Sequence, residues 1–251
     1  MKLIIMICMG LCFIACGDSK KFDAMGIFES DEILISSEIS GKILDFNVKE
    51  GDKLTNGELL GHIDSLQLEL KEKKIQLELQ NALIEQKRFE KLYQANAGTK
   101  QNLDNANLKV SLLEQELQML QDQIERAQIR SPIDGVVLEK YAFSGELSTP
   151  NKILLRVADT QTLRLKAYVN SMDLSRLKLG DEVRVFSDFG KEYKEYKGII
   201  TWIASEAEFT PKTIMTKDER ENLVYAVKVD VQNDGYLKIG SYGEIILESE
   251  K

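Results

Sequence analysis

The chain has 251 residues, enough for one large domain or two to three small ones, and its 43% hydrophobic content is ordinary for a packed soluble protein. The formal net charge is -8, and no lysine or arginine cluster of the kind that tracks a phosphate backbone is present, which excludes nucleic acid as a partner.

The N-terminus, MKLIIMICMGLCFIACGDSKK, places Lys2 before an apolar run from Leu3 to Ala15 and then Cys16. A membrane-spanning helix needs about 20 apolar residues, so this shorter run fits the h-region of a secretory signal over residues 1–15. Phe13-Ile14-Ala15-Cys16 resembles a bacterial lipobox, with Phe13 where leucine is usual. That resemblance implies cleavage before Cys16, lipidation of Cys16, and a mature chain outside the cytoplasmic membrane. Because Cys8 and Cys12 would leave with the signal, no free thiol or disulfide would remain. More than one acyl chain on Cys16 would hold the protein stably at the membrane surface. A plain cleaved signal or a short uncleaved anchor is the alternative.

The stretch SGKILDFNVKEGDKLTNGELLGHID, Ser40 to Asp64, returns as DGVVLEKYAFSGELSTPNKILLRVAD, Asp134 to Asp159. Gly41 aligns with Gly135, Gly51 with Gly145, Asp52 with Glu146, Leu60 with Leu154 and Ile63 with Val157, without a gap. Each copy has a glycine, a short apolar stretch, a second glycine beside an acid, and a final apolar run. Glycine suits turns that a Cβ would oppose, and the apolar runs read as short strands. The two copies predict two halves, 39–65 and 129–159, of one flattened β-sandwich.

Between them, residues 66–128 contain no proline and a single glycine, Gly98. Leu103, Ala106, Val110, Leu113, Leu117, Leu120, Ile124 and Ala127 alternate at three and four residues, a heptad seam. Leu68, Glu72, Ile75, Leu79, Ala82, Gln86, Phe89 and Tyr93 form the complementary row, interrupted by the polar Glu72 and Gln86. The two arms predict an antiparallel coiled-coil hairpin turning near Asn96-Ala97-Gly98. At ~1.5 Å per residue, an arm of about 30 residues reaches on the order of 45 Å. A further row, Leu70, Leu77 and Ile84, lies on another face; it either adds burial within the chain or meets a neighbouring hairpin in an oligomer.

Each half of the sandwich looks like half of a biotinyl or lipoyl carrier domain, but neither presents a methionine-lysine-methionine type turn for a modified lysine, which disfavours an intact carrier. The split halves with their inserted hairpin resemble the HlyD-like periplasmic adaptors, or membrane fusion proteins, over nearly all of the mature chain. The resemblance implies an elongated mixed α and β fold: a lipoyl-like β-sandwich split by the hairpin and followed by a β-barrel domain. It also implies that Arg88, Leu92 and Thr99, matching an R-x3-L-x6-S/T pattern, engage a TolC-like outer-membrane channel. Arg88 offers a forked donor set, Leu92 an apolar knob, and Thr99 a hydroxyl that can also cap the returning helix. As solvated or coil-closing residues they would have no such role.

Downstream, a strand at Leu163–Val169, a helical turn at Met172–Leu177, Leu179-Gly180-Asp181 and a strand at Val183–Phe186 resemble the family's barrel. Further strands are expected at 197–204, 223–231 and 242–248. The segment 16–38 is expected to be a linker and strand joining the barrel region, 160–251, by pairing with its C-terminal strands. Phe209 to Val229 is similar to adaptors of ABC exporters, and its Lys217–Glu221 charge run reads as a solvated loop. The short stretch beyond the barrel suggests that a membrane-proximal domain is reduced or missing.

His62 is the only histidine, and the mature chain offers no cysteine partner for metal or general-base chemistry. The methionines at 25, 119, 172 and 215 are scattered, unlike a methionine-rich copper or silver site. No nucleophile, phosphate loop or ordered carboxylate pair is evident, so neither an enzyme nor a cofactor-binding protein is expected. The resemblance points to a hexameric, lipid-anchored periplasmic adaptor on the inner membrane. It would link an exporter, of ABC rather than RND type, to a TolC-like channel. The rival of another class is an envelope lipoprotein that binds a partner through its coiled coil.

Overall fold

The computed structural model describes residues 22–190, 192–209 and 223–247. Cys16 and the Lys217–Glu221 run lie outside these residues. In chain order the first strands are β1 (Ala24–Glu29), β2 (Glu32–Ser36), β3 (Gly41–Phe46), β4 (Lys53–Leu54) and β5 (Leu59–Ile63). Helices α1 (Leu66–Gln94) and α2 (Lys100–Glu125) follow, then β6 (Gln128–Arg130), β7 (Gly135–Lys140), β8 (Leu147–Ser148) and β9 (Ile153–Ala158). The remainder is β10 (Thr162–Asn170), α3 (Ser171–Leu174), β11 (Glu182–Phe189), β12 (Glu192–Ile203), β13 (Glu208–Phe209), β14 (Leu223–Gln232) and β15 (Tyr242–Ile246).

Two compact units result, one of residues 31–159 and the other built from the N-terminal and C-terminal segments. In the first, one sheet runs β2-β9-β7-β4 and the other β6-β5-β3-β8. Each sheet takes strands from both sequence copies, so neither copy could bury its apolar face alone. Ile43, Phe46, Leu60, Ile63, Val137, Leu154, Leu155 and Val157 fill the space between the sheets.

The internal repeat extends further than the motif that reveals it. Buried Ile35 of β2 and Ile129 of β6 occupy equivalent places. The Ser37 amide donates to the Lys152 carbonyl (2.9 Å), and the Ser131 amide donates to the equivalent Glu58 carbonyl (3.0 Å). Both serines are buried, and both hydroxyls donate two residues on, to Ile39 (2.8 Å) and Ile133 (2.7 Å). Thus the segment 16–38 does not join the barrel region throughout: β1 does, whereas β2 pairs with β9, because Ile35 completes the sandwich core.

The helices form the expected hairpin. Ile75, Ala82, Ala106, Val110 and Leu120 are buried along the seam. Gln86 Nε2 donates to Asn107 Oδ1 (3.0 Å) and Gln121 Nε2 to Glu72 Oε1 (3.0 Å), so the two polar interruptions cross-link the arms. The returning arm ends earlier than 128. Arg126 caps α2, and Ala127 joins the sandwich core, accepting from the Ile63 amide at 2.8 Å. Leu70, Leu77 and Ile84 remain 55%, 61% and 55% exposed, so burial within the chain is not their role.

In the second unit, β10-β1-β15-β11-β12-β14 closes through β14 pairing with β10, and β13 extends β14. Period-two burial puts Leu163, Leu165, Ala167 and Val169 of β10 into the interior with Val229 and Val231 of β14. Full closure leaves those six strands without an unpaired edge. The strand at β12 starts earlier than expected, α3 is shorter, and the short β13 carried no periodic signal of its own.

Candidate functional site at the hairpin tip

The turn between α1 and α2 is built by two different caps. Asn96 takes a left-handed φ of 53°. The Ala97 amide then donates to Leu92 O (2.8 Å) and the Asn96 amide to Tyr93 O (3.0 Å), the paired bonds of a Schellman end. Asparagine tolerates that conformation better than most non-glycine residues, a signal the sequence carried. On the other side Thr99 is the N-cap of α2: its Oγ1 accepts from the Asn102 amide at 3.2 Å. The hydroxyl hydrogen is left to donate elsewhere.

Arg88 and Leu92 lie one helical turn apart on α1 and so share a face. Arg88 is exposed and has no ion pair or hydrogen bond among the described residues. Leu92 is 38% exposed, covered on one side by the turn: a Cβ on Gly98 would sit 3.1 Å from Leu92 Cβ and 3.2 Å from Tyr93 N. Gly98 therefore lets the loop close against Leu92 while leaving its other side open. Between Lys87 and Asp104 four cations, Lys87, Arg88, Lys91 and Lys100, face two anions, Glu90 and Asp104, in a chain of formal charge -8. The tip is a basic end with one half-open apolar knob and one free hydroxyl donor. It can grip carbonyl or carboxylate groups around an apolar socket, and it holds no acid-base pair arranged for catalysis.

No cluster of three or more metal-ligating side chains occurs among the described residues. His62 Nδ1 lies 3.1 Å from Asp45 Oδ1 across the β3–β5 pair, a surface contact. No described helix is long and apolar enough to cross a membrane.

A split sandwich carrying a hairpin with such a tip defines a scaffold-type adaptor. Residues 31–158, half of the chain, match the family described as RND MFP, barrel-sandwich hybrid domain, and the chain belongs to that membrane fusion protein family. Its members are adaptors and not enzymes. Among similar curated proteins, a UPF0194 membrane protein of Citrobacter koseri is 34% identical over 101 residues, covering 40% of this chain and 30% of that protein. Another from Yersinia pseudotuberculosis serotype O:3 is 36% identical over 110 residues, covering 44% and 32%. The matched stretches thus span about a third of those relatives.

Solved structures share the fold. A MacA-MexA chimeric protein containing the Pseudomonas aeruginosa MexA alpha-hairpin superposes with a TM-score of 0.74 at 22% identity, covering 90% of this chain and 82% of that one. The membrane fusion protein Spr0693 from Streptococcus pneumoniae R6 gives 0.70 at 18% identity, covering 90% and 99%.

Proposed function

We propose that this chain is a periplasmic adaptor that links an inner-membrane exporter to a TolC-like outer-membrane channel, with Arg88, Leu92 and Thr99 engaging the channel. The observation that carries the reading is the tip itself: a family sandwich projects two long helices whose turn leaves Arg88 unpaired and Leu92 half open. Copies of the chain would form a hexameric conduit, with sandwich and barrel rings as its wall. Energy would come from the exporter.

Replacing Arg88 and Leu92 together with alanine should leave the hairpin folded, since neither supports the seam. Export and cross-linking to the channel should both fall; unchanged values for both would refute the docking role.

An ABC-type exporter is favoured by the likeness of Phe209–Val229 to ABC-linked adaptors. The family's description carries the RND name, so an RND pump is the second reading. Cys16 would anchor the chain at the periplasmic face of the inner membrane, consistent with relatives named as membrane proteins. Radiolabelled palmitate should enter the parent chain and be lost in Cys16→Ala; label that survives the substitution contradicts the anchor.

A further inference from the structure

We infer that neighbouring copies join through the backs of their hairpins, α1 of one copy lying antiparallel against α2 of the next in a closed head-to-tail ring. This rests on the self-assembly proposed above and specifies its contact.

Two apolar rows face away from the hairpin seam. On α1, Leu70, Leu77 and Ile84 recur every seven residues at the position farthest from α2, and all are more than half exposed. On the back of α2, Leu108, Leu112 and Met119 are 59%, 62% and 65% exposed. The backs of a two-helix coil are ordinarily polar, and the seam already satisfies the fold. These six side chains are therefore surplus to the hairpin.

Their heights match. The Gln86–Asn107 and Glu72–Gln121 hydrogen bonds set the axial register between the arms. On that register Met119 is level with Lys74, Leu112 with Asn81, and Leu108 with Glu85. Met119 thus falls between the heights of Leu70 and Leu77, and Leu112 between those of Leu77 and Ile84. Copies in a closed cyclic assembly stand at one height. One row then interdigitates with the other with no axial slip, at spacings of about 5 Å.

Charge selects which backs meet. The outward positions flanking the α1 row carry Lys73, Lys74, Lys87, Arg88 and Lys91 and no acid. Those of α2 carry Asp104, Asp122 and Glu125, and their one cation, Arg126, is already bound to Asp122 and Glu38. Two α1 backs repel, two α2 backs repel, and the unlike pair attracts. Such a contact uses two different surfaces, so it propagates from copy to copy. Leu112 and Met119 sit about 50° around the heptad wheel from the straight-back position, which turns successive copies in one sense and favours a ring.

The test uses the full-length chain in mild detergent, with a short bis-maleimide and the unsubstituted chain as control for the native cysteines. Ile84→Cys with Leu108→Cys in one chain should give a ladder of dimer, trimer and higher products, whereas each single substitution should give none. In the same background Lys87→Glu should lower ladder yield about threefold, as one lost ion pair would, and adding Asp104→Lys should restore it. A dimer from Ile84→Cys alone would overturn the inference, because it would mean that like backs meet. An oligomer by sedimentation without a ladder would also overturn it while leaving self-assembly intact. A chain that sediments as a monomer would sink self-assembly itself.

Discussion

Glu244 of β15 stands opposite Met25 and Phe186 in the barrel sheet, 7% exposed, with Oε2 lacking any hydrogen-bond partner. Burial raises its pKa, and the negative charge of Asp188 raises it further. The folded state therefore holds the Glu244 proton more tightly than the unfolded chain does. The resulting stabilisation is fully present below the ordinary glutamate range and is lost as pH rises through the folded value. Glu244→Gln should accordingly raise the unfolding temperature at pH 7.5 by about 2–4 °C, the shift expected for roughly 1 kcal/mol. The gain over the parent should shrink as the pH is lowered toward 4.5. A gain that stays constant with pH would show that ionisation is not the cause. The same scale explains Thr99: its side-chain oxygen is used as a cap while its hydrogen stays available, so folding and docking draw on different atoms.

At the scale of elements, the coiled-coil seam shows why sequence periodicity is a strong guide. Helical side chains three and four residues apart share a face regardless of what lies elsewhere, so the positions predicted to face the partner are the less exposed ones in both arms, apart from Tyr93 at the tip. The two polar interruptions are different in kind. Glu72 and Gln86 are half-buried and bonded across the hairpin, which fixes register at some cost in stability. Replacing both with leucine should raise the melting temperature of the helical signal in circular dichroism, gaining on the order of 1 kcal/mol per site from added apolar burial. It should also loosen register, seen as faster amide exchange near the tip. A lower melting temperature would show that these bonds hold the hairpin together as well as aligning it.

For the molecule as a whole, the two copies of the sandwich motif give a built-in comparison. Gly51 and Gly145 occupy equivalent turns at φ 89° and 93°, and a Cβ at either would meet nothing within 4 Å. Alanine at either position therefore meets only the backbone penalty of a left-handed conformation, about 1–2 kcal/mol. Gly51→Ala and Gly145→Ala should shift the urea midpoint equally. Unequal shifts would mean that the hairpin inserted between the copies has made their stabilities differ. The repeat also explains the placement of β2. Ile35 and Ser37 mirror Ile129 and Ser131 at the same offset as the glycines, so the signal was in the sequence, but two residues per copy are too few to stand out without the sheet that contains them.

By itself the sequence determined the split sandwich, the hairpin with its seam, and most of the barrel strands, because glycine turns and hydrophobic periods are local properties of the chain. Only the tertiary structure decided which strands pair across the two copies, that β2 belongs to the sandwich, and where α2 ends. It also decided that Leu70, Leu77 and Ile84 stay exposed at heights set by bonds to the other arm. Those outcomes depend on contacts between residues far apart in the chain, where burial in a shared core or register across a seam outweighs any local preference.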